Sequence, residues 1–161
     1  MPTEMKIKGL MVDPVSNMPI IILRKPDNSV MLPIWVGLFE ANAIAMQIEK
    51  IQPPRPYTHD LLCSVIGSLG ARVEKIVITD LKDNTFFSII HLLRGDERVE
   101  IDARPSDAMA IALRVDAPIL VDESVLERSS ASGEDESVDE PERLRRWLEQ
   151  VDPEELGKYE M

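Results

Sequence analysis

The sequence contains a single cysteine, Cys63, and few aromatic residues. One cysteine excludes an internal disulfide and a multi-cysteine zinc site. A reducing, cytoplasmic setting is the expectation that follows. Aromatic residues make up 4% of the chain and apolar residues 44%, so the core is expected to consist mainly of aliphatic side chains.

Long apolar runs are also lacking. No stretch reaches the ~18 apolar residues that read as a membrane-spanning helix. The start, Met1-Pro2-Thr3-Glu4, lacks the basic and apolar segments of a secretory signal. No membrane association is therefore expected. A glycine-rich phosphate loop, HExxH and GxSxG are absent as well, so none of these motifs identifies a reaction.

Basic residues are fewer than acidic ones, and the difference is larger in the C-terminal part of the chain. The chain has a net charge of −11. Residues 1–128 carry 14 Lys/Arg and 18 Asp/Glu (14 − 18 = −4), and residues 129–161 carry 4 and 11 (4 − 11 = −7). Phosphate neutralisation supplies most of the affinity of nucleic-acid binders. The overall charge therefore argues against tight nucleic-acid binding unless a local basic patch exists.

Apolar runs separated by turn residues predict a β-sheet. Pro33 cannot donate a ladder hydrogen bond, so its strand should lie at an edge or carry a bulge. The turns 82–84 and 94–96 predict an antiparallel meander of the three strands around them. In the last of these, Val99, Ile101 and Ala103 alternate with charged residues, which predicts one buried face. The predicted strands are 5–12, 18–24, 30–36, 72–81, 85–93, 97–103 and 118–121.

Helical periodicity predicts three helices and a final helical turn. Thr58 and Ser106 have the side chains of helix N-caps. The core side of the second helix is expected to carry Leu62, Val65, Ile66 and Leu69. The predicted helices are 38–51, 59–69 and 107–115, with the turn at 124–128. The fold class is therefore α+β: a mixed, largely antiparallel sheet with helices packed on it, in one compact domain at residues 1–128.

The C-terminal part has a different composition. Residues 129–141 are rich in Ser, Asp and Glu and predict an acidic disordered linker. Residues 142–161 predict a short helical tail. Its apolar stripe, Leu144, Trp147, Leu148 and Val151, needs a partner surface because so short a helix is marginal alone. That partner could be the domain itself, a neighbouring subunit or another protein.

Self-association is a further expectation. The domain has several apolar strands and an expected edge strand at Pro33, and such edges are usually covered. A homodimer of residues 1–128 is the predicted assembly.

Three polar clusters lie where predicted elements begin or end. In the first, Glu40 occupies the first turn of a helix, where it could serve as a metal ligand or general base. Alternatively, it could be an ordinary carboxylate that the helix dipole stabilises at this position. In the second, His59 and Asp60 follow the stiff segment Gln52–Tyr57. They could position a water or a divalent ion, or simply support a helix start.

The third cluster runs from Asp102 to Asp107. Ser106 and Asp107 open a helix whose free N–H groups can hold a phosphate. Arg104 adds bidentate phosphate recognition. An ordinary capped helix would explain Ser106 and Asp107, but it explains Asp102 and Arg104 less readily. Together these residues are suitable parts for phosphodiester chemistry.

The order of these motifs resembles the bifunctional nuclease domain family over nearly all of residues 5–128. The first block is Leu32-Pro33-Ile34-Trp35-Val36-Gly37 with Glu40-Ala41. The second is Arg55-Pro56 with Thr58-His59-Asp60-Leu61. The third is Asp102-Ala103-Arg104-Pro105-Ser106-Asp107-Ala108. Three blocks in one order are a far more specific match than any block alone. The family is described as acting on DNA and RNA, and its fold is α+β with a mixed sheet.

The resemblance implies a nuclease that cleaves DNA and/or RNA with low sequence preference. The residues expected to be catalytic are Glu40, His59, Asp60, Asp102 and Asp107, with His59 as acid or base. Arg55, Arg104 and Ser106 are expected to bind substrate. Glu40, Asp60, Asp102 and Asp107 would hold a divalent ion, Mg²⁺ or Mn²⁺, that activates water.

The alternative is a non-catalytic domain that binds an anion or a partner protein, which the acidic charge favours. If all three clusters meet in one cleft, and if that cleft is locally basic, the single-site nuclease hypothesis gains support over this alternative.

Overall fold

A computed structural model describes residues 1–132, and residues 133–161 are not described. Within residues 1–132 the chain forms seven strands and four helices, which confirms the α+β class. The strands are β1 (Thr3–Val12), β2 (Pro19–Arg24), β3 (Met31–Trp35), β4 (Arg72–Lys82), β5 (Thr85–Arg94), β6 (Glu97–Ala103) and β7 (Ile119–Val121). The helices are α1 (Leu38–Ile48), α2 (Thr58–Ser68), α3 (Pro105–Val115) and α4 (Glu123–Ser132).

The strands form one mixed sheet in the order β3-β2-β1-β7-β4-β5-β6. Only β4 and β7 pair in parallel, and every other neighbouring pair is antiparallel. The predicted meander β4-β5-β6 is confirmed. So is the edge position of β3, where Pro33 pairs with Ile22 on its only neighbouring strand.

Self-association stays a prediction, and light scattering on the purified chain would test it.

Helix α3 lies at the centre of the helical layer, and small residues determine how closely α1 packs against it. Both helices bury alanines: Ala41, Ala43 and Ala45 of α1 and Ala108, Ala110 and Ala112 of α3. Side chains this small let two helix backbones approach closely. The sheet side of this core is aliphatic, as the composition predicts, with Ile21, Leu23, Ile76 and Ile78 fully buried.

Both predicted N-caps are wrong by one or two residues. Helix α2 begins at Thr58, and its N-cap is Tyr57, whose backbone N–H donates to Asp60 Oδ2 at 2.9 Å. Helix α3 begins at Pro105, with Arg104 as its N-cap. Proline has the backbone angle of a first helical residue and needs no hydrogen-bond acceptor. The helix therefore starts before Ser106, which is buried in the first turn.

Two predicted buried surfaces are exposed. On α2, Leu62, Val65 and Leu69 are all at least 40% exposed, and of the four predicted core residues Ile66 alone packs partly against the core. On β6, Ile101 is exposed although Val99 and Ala103 are half-buried. The two faces lie across from each other, and their separation leaves an open groove.

Two helix ends also differ from the prediction. Helix α1 ends at Ile48 rather than at residue 51. Helix α4 extends to Ser132, so residues 129–132, assigned to the linker, are helical. The rest of the predicted linker and the whole tail lie outside the described residues.

Candidate functional site

The groove lies between α2 and the β5–β6 hairpin and has a volume of about 1350 Å³. Most of its wall is apolar, and its ionisable side chains other than Arg94 are grouped around the start of α3. The polar lining includes Glu40, His59, Asp102, Arg104 and Asp107. The first, second and third clusters of the sequence therefore each contribute to this one groove.

Four of these side chains form a continuous hydrogen-bonded network, which we call the Arg104 network: Glu40, His59, Arg104 and Asp107. Arg104 Nε donates to Asp107 Oδ2 at 2.8 Å, and Arg104 Nη2 donates to Glu40 Oε1 at 2.7 Å. His59 Nε2 lies 2.9 Å from Asp107 Oδ1. Glu40 and Arg104 are 64 positions apart, so only the folded chain joins them.

Three helix starts place the Arg104 network. Glu40 lies in the first turn of α1, His59 is the second residue of α2, and Arg104 and Asp107 flank the first turn of α3. Helix N-termini present unpaired N–H groups and a partial positive charge, which suits carboxylates and incoming anions. Their convergence explains why polar side chains gather at one end of an otherwise apolar groove.

Arg104 retains capacity for a ligand. Its hydrogen bonds to Asp107 and Glu40 raise the pKa of the guanidinium, which therefore stays charged. The side chain is 65% exposed, and Nη1 makes no hydrogen bond among the described residues. Two N–H donors on Nη1 are thus available to an oxyanion in the groove.

Asp107 orients His59. An ionised carboxylate only accepts hydrogen bonds, so its contact with Nε2 places the imidazole proton there. In the neutral ring the other nitrogen, Nδ1, carries a lone pair, and it makes no hydrogen bond within residues 1–132. This is the arrangement of an acid–base histidine held in one tautomer by a carboxylate.

Asp60 does not belong to the groove. Its Oδ1 accepts a 2.7 Å hydrogen bond from Arg114 Nε, and its Oδ2 accepts the Tyr57 N–H. Burial opposes ionisation, but the Tyr57 N–H and the Arg114 guanidinium outweigh it and lower the pKa of Asp60. Through these two hydrogen bonds Asp60 fixes the start of α2.

The other predicted site residues differ in their positions. Asp102 lines the groove, but among the described residues its carboxylate makes no hydrogen bond to the Arg104 network. Arg55 is exposed in the segment between α1 and α2, and it does not line the groove. Ser106 is buried and does not line it either.

The expected divalent-metal site was Glu40, Asp60, Asp102 and Asp107. Within residues 1–132, no three His, Cys, Asp or Glu side chains are grouped so that they could hold a metal ion. The carboxylates of Glu40 and Asp107 are bound to Arg104, and that of Asp60 is bound to Arg114. In this arrangement the four carboxylates do not form a site for a divalent ion.

Two features were missed by the sequence reasoning. The first is the apolar groove, whose α2 side chains were assigned to the core because an apolar stripe has the same pattern in both settings. The second is Arg114, which is only 7% exposed and also donates to the carbonyl oxygens of Ala110 and Ala43. A basic residue in the last turn of a helix was the only available signal, and it is common.

Comparison with known proteins identifies the class of this domain. Residues 21–134 match the bifunctional nuclease domain, so the chain belongs to that family. It is 37% identical over 162 residues to an uncharacterized protein of Mycobacterium tuberculosis (strain H37Rv), covering 95% of this chain and 97% of that one.

Two plant proteins are also similar to this chain. Bifunctional nuclease 1 of Arabidopsis thaliana is 28% identical over 107 residues, which cover 64% of this chain and 33% of the plant protein. Bifunctional nuclease 2 of Oryza sativa subsp. japonica is 31% identical over 111 residues, covering 66% and 34%. The matched segments thus span about a third of each plant protein and about two thirds of this chain. Within residues 1–132, no helix has both the length and the apolar character needed to cross a membrane.

Proposed function

We propose that this protein is a nuclease that cleaves phosphodiester bonds in DNA or RNA at the polar end of the groove. The observation that carries the proposal is the Arg104 network, which sets a free guanidinium edge beside a histidine of defined tautomer. A cytoplasmic setting, expected from the single cysteine, is part of this proposal.

The chemistry assigns a role to each member of the Arg104 network. Arg104 Nη1 donates to the non-bridging oxygens of the scissile phosphate and stabilises the charge that develops on them. His59 Nδ1 takes a proton from the attacking water, whose oxygen forms the new bond to phosphorus. The bond from phosphorus to the leaving oxygen breaks on the opposite side of phosphorus, and that oxygen takes a proton from solvent water. His59 then returns its proton to solvent. Glu40 and Asp107 hold Arg104 and His59 in place.

Charge limits how tightly this site can hold a nucleic acid. One guanidinium and two carboxylates give the Arg104 network a formal charge of −1 when His59 is neutral. Electrostatic attraction alone therefore cannot account for substrate binding, and contacts elsewhere in the groove have to contribute.

The experiment is a cleavage assay with single- and double-stranded DNA and RNA. Each substrate is incubated with the full chain in Mg²⁺, in Mn²⁺ and in excess chelator. Cleavage of at least one substrate is expected, and it should be lost in the Asp107→Asn variant. The matched control is Asp96→Asn, since Asp96 lies in the β5–β6 turn away from the groove.

The outcomes separate the alternatives. Cleavage that chelator abolishes would support the divalent ion expected from the sequence and would overturn the metal-free assignment of roles. No cleavage of any substrate would reject the nuclease proposal and favour the non-catalytic domain. Equal cleavage by Asp107→Asn would point to a contaminating nuclease.

Gly37 provides a test of Glu40. A β-carbon at position 37 would lie 2.2 Å from Glu40 Oε2, so the carboxylate would have to move away from Arg104. The backbone angle φ of −71° at Gly37 accepts alanine, and the fold should tolerate the change. Gly37→Ala should therefore lower the cleavage rate by about 10- to 100-fold, as small misplacements of active-site groups do. Cleavage rate and thermal unfolding are the two measurements.

Gly67→Ala is the control for this substitution. Position 67 lies within α2, and a β-carbon there would meet no atom within 4 Å. Its cleavage rate should match that of the unaltered protein. A Gly37→Ala variant as active as Gly67→Ala would show that the position of Glu40 does not matter to the reaction.

A further inference from the structure

The apolar wall of the groove has no role in the chemistry above, yet it exposes an unusual surface. Six large apolar side chains that are each at least 40% exposed line it, and Phe39 is the most exposed of them at 76%. Contiguous exposed apolar surface of this kind marks a binding site. These six residues, called the apolar wall below, are Phe39, Tyr57, Leu62, Val65, Leu69 and Ile101.

The apolar wall is continuous with the Arg104 network. Phe39 directly precedes Glu40 in α1, and Tyr57 is the N-cap of the helix that carries His59. Both aromatic side chains line the same groove as Arg104. Aromatic side chains next to a phosphate-binding arginine are the elements with which proteins hold unpaired bases, because every base has a face that stacks.

Within residues 1–132, two cationic side chains line the groove, and they lie at different ends of β6. Arg104 follows the end of β6, and Arg94 ends β5, where it pairs with Glu97 across the hairpin. The seven positions between residues 97 and 104 of an extended chain span about 23 Å. That span suits the lower end of single-strand site sizes, roughly four nucleotides.

We propose that the apolar wall is a subsite for the unpaired bases of single-stranded nucleic acid, which it holds by stacking while Arg104 and Arg94 contact the backbone. This inference rests on the proposed function and names its substrate class. In a duplex the bases are paired and stacked on one another, so they cannot enter the groove. Stacking is tolerant of sequence, and the apolar wall offers few groups that read base edges.

The same geometry sets the salt dependence of binding. Single strands lose affinity with a slope of about −0.7 per neutralised phosphate in a plot of log K against log salt. Two arginines therefore predict a slope of about −1.4. So shallow a slope is consistent with a domain whose own net charge is negative.

Binding can be measured separately from cleavage. The full chain carrying His59→Gln is titrated into a short labelled oligonucleotide, alone or annealed to its complement, and anisotropy is recorded. The single strand should bind at least about tenfold more tightly than the duplex. Phe39→Ala in the same background should weaken single-strand binding by about tenfold, the loss of one stacked base, and Phe39→Tyr should restore it.

Phe87→Ala is the matched control. Phe87 is an exposed phenylalanine of β5, and it does not line the groove. Its replacement should leave binding unchanged. The measurement is repeated with the unaltered protein and phosphorothioate-linked oligonucleotides, so that the result does not depend on His59→Gln.

The results distinguish the two proposals. Single-strand binding that depends on Phe39, with no cleavage by the unaltered protein, would support the subsite and reject the nuclease. Cleavage with equal affinity for single strand and duplex would support the nuclease and overturn the subsite. Binding that Phe39→Ala leaves unchanged, or that Phe87→Ala weakens equally, would also overturn it.

Discussion

His59→Gln is expected to lower the rate of phosphodiester cleavage by about 10²- to 10⁴-fold, the range for loss of a general acid–base group. His59 is the only histidine among the residues that line the groove, and its Nδ1 makes no hydrogen bond within residues 1–132. Glutamine keeps a hydrogen-bonding group near Asp107 but cannot accept and return a proton. The measurement is the single-turnover cleavage rate at saturating protein.

The chain supplies its own control for this prediction. His91, the second of its two histidines, is half-buried on β5, where it lies 3.8 Å from Glu100 and outside the groove. His91→Gln should cleave at the unaltered rate. If both variants lose activity equally, the loss reflects a damaged fold rather than a missing acid–base group. Full activity in His59→Gln would assign the chemistry to another residue.

Arg114→Met should lower the free energy of unfolding by about 3 kcal/mol, as the loss of one partner from a buried ion pair does. The Arg114 side chain is 7% exposed and joins three helices: it bonds Asp60 of α2, Ala43 of α1 and Ala110 of its own α3. Methionine keeps most of the volume but removes the guanidinium donors from the two carbonyl oxygens and from Asp60 Oδ1. Urea unfolding followed by circular dichroism measures the difference.

Arg128→Met is the comparison variant. Arg128 also pairs with an aspartate, Asp80, but its side chain is 54% exposed. Exposed ion pairs contribute about 0–1 kcal/mol, so this variant should unfold almost as the unaltered protein does. If Arg114→Met were as mild as Arg128→Met, Arg114 would not be what holds α2 in place.

Acid should reduce the difference between the unaltered protein and Arg114→Met. Despite its partial burial, Asp60 has a lowered pKa because it accepts the Tyr57 N–H and pairs with Arg114. A lowered folded-state pKa stabilises the protein above the unfolded carboxyl value of about 3.9, and this contribution is lost as the pH falls through the folded-state pKa. The two unfolding free energies should therefore converge below about pH 4. A constant difference across that range would exclude Asp60 as the partner that matters.

Local patterns were sufficient for most of the fold. Proline at position 33 placed β3 at an edge because a strand with neighbours on both sides needs every backbone donor. The two tight turns predicted the β4-β5-β6 meander for the same kind of local reason. The caps of α2 and α3 were missed by one or two residues, because Asp60 and Pro105 determine these helix starts more strongly than Thr58 and Ser106 do.

The amino-acid sequence by itself determined the α+β class, the order of strands and helices within residues 1–132, and the three polar blocks that mark the family. These features depend on residues close together in the chain. Tertiary structure alone decided that Arg104 binds Glu40 and that Asp60 binds Arg114, pairs 64 and 54 positions apart. It also decided that the apolar stripe of α2 faces a groove and not the core, because an apolar side chain looks the same in sequence whether its partner is the protein or a ligand.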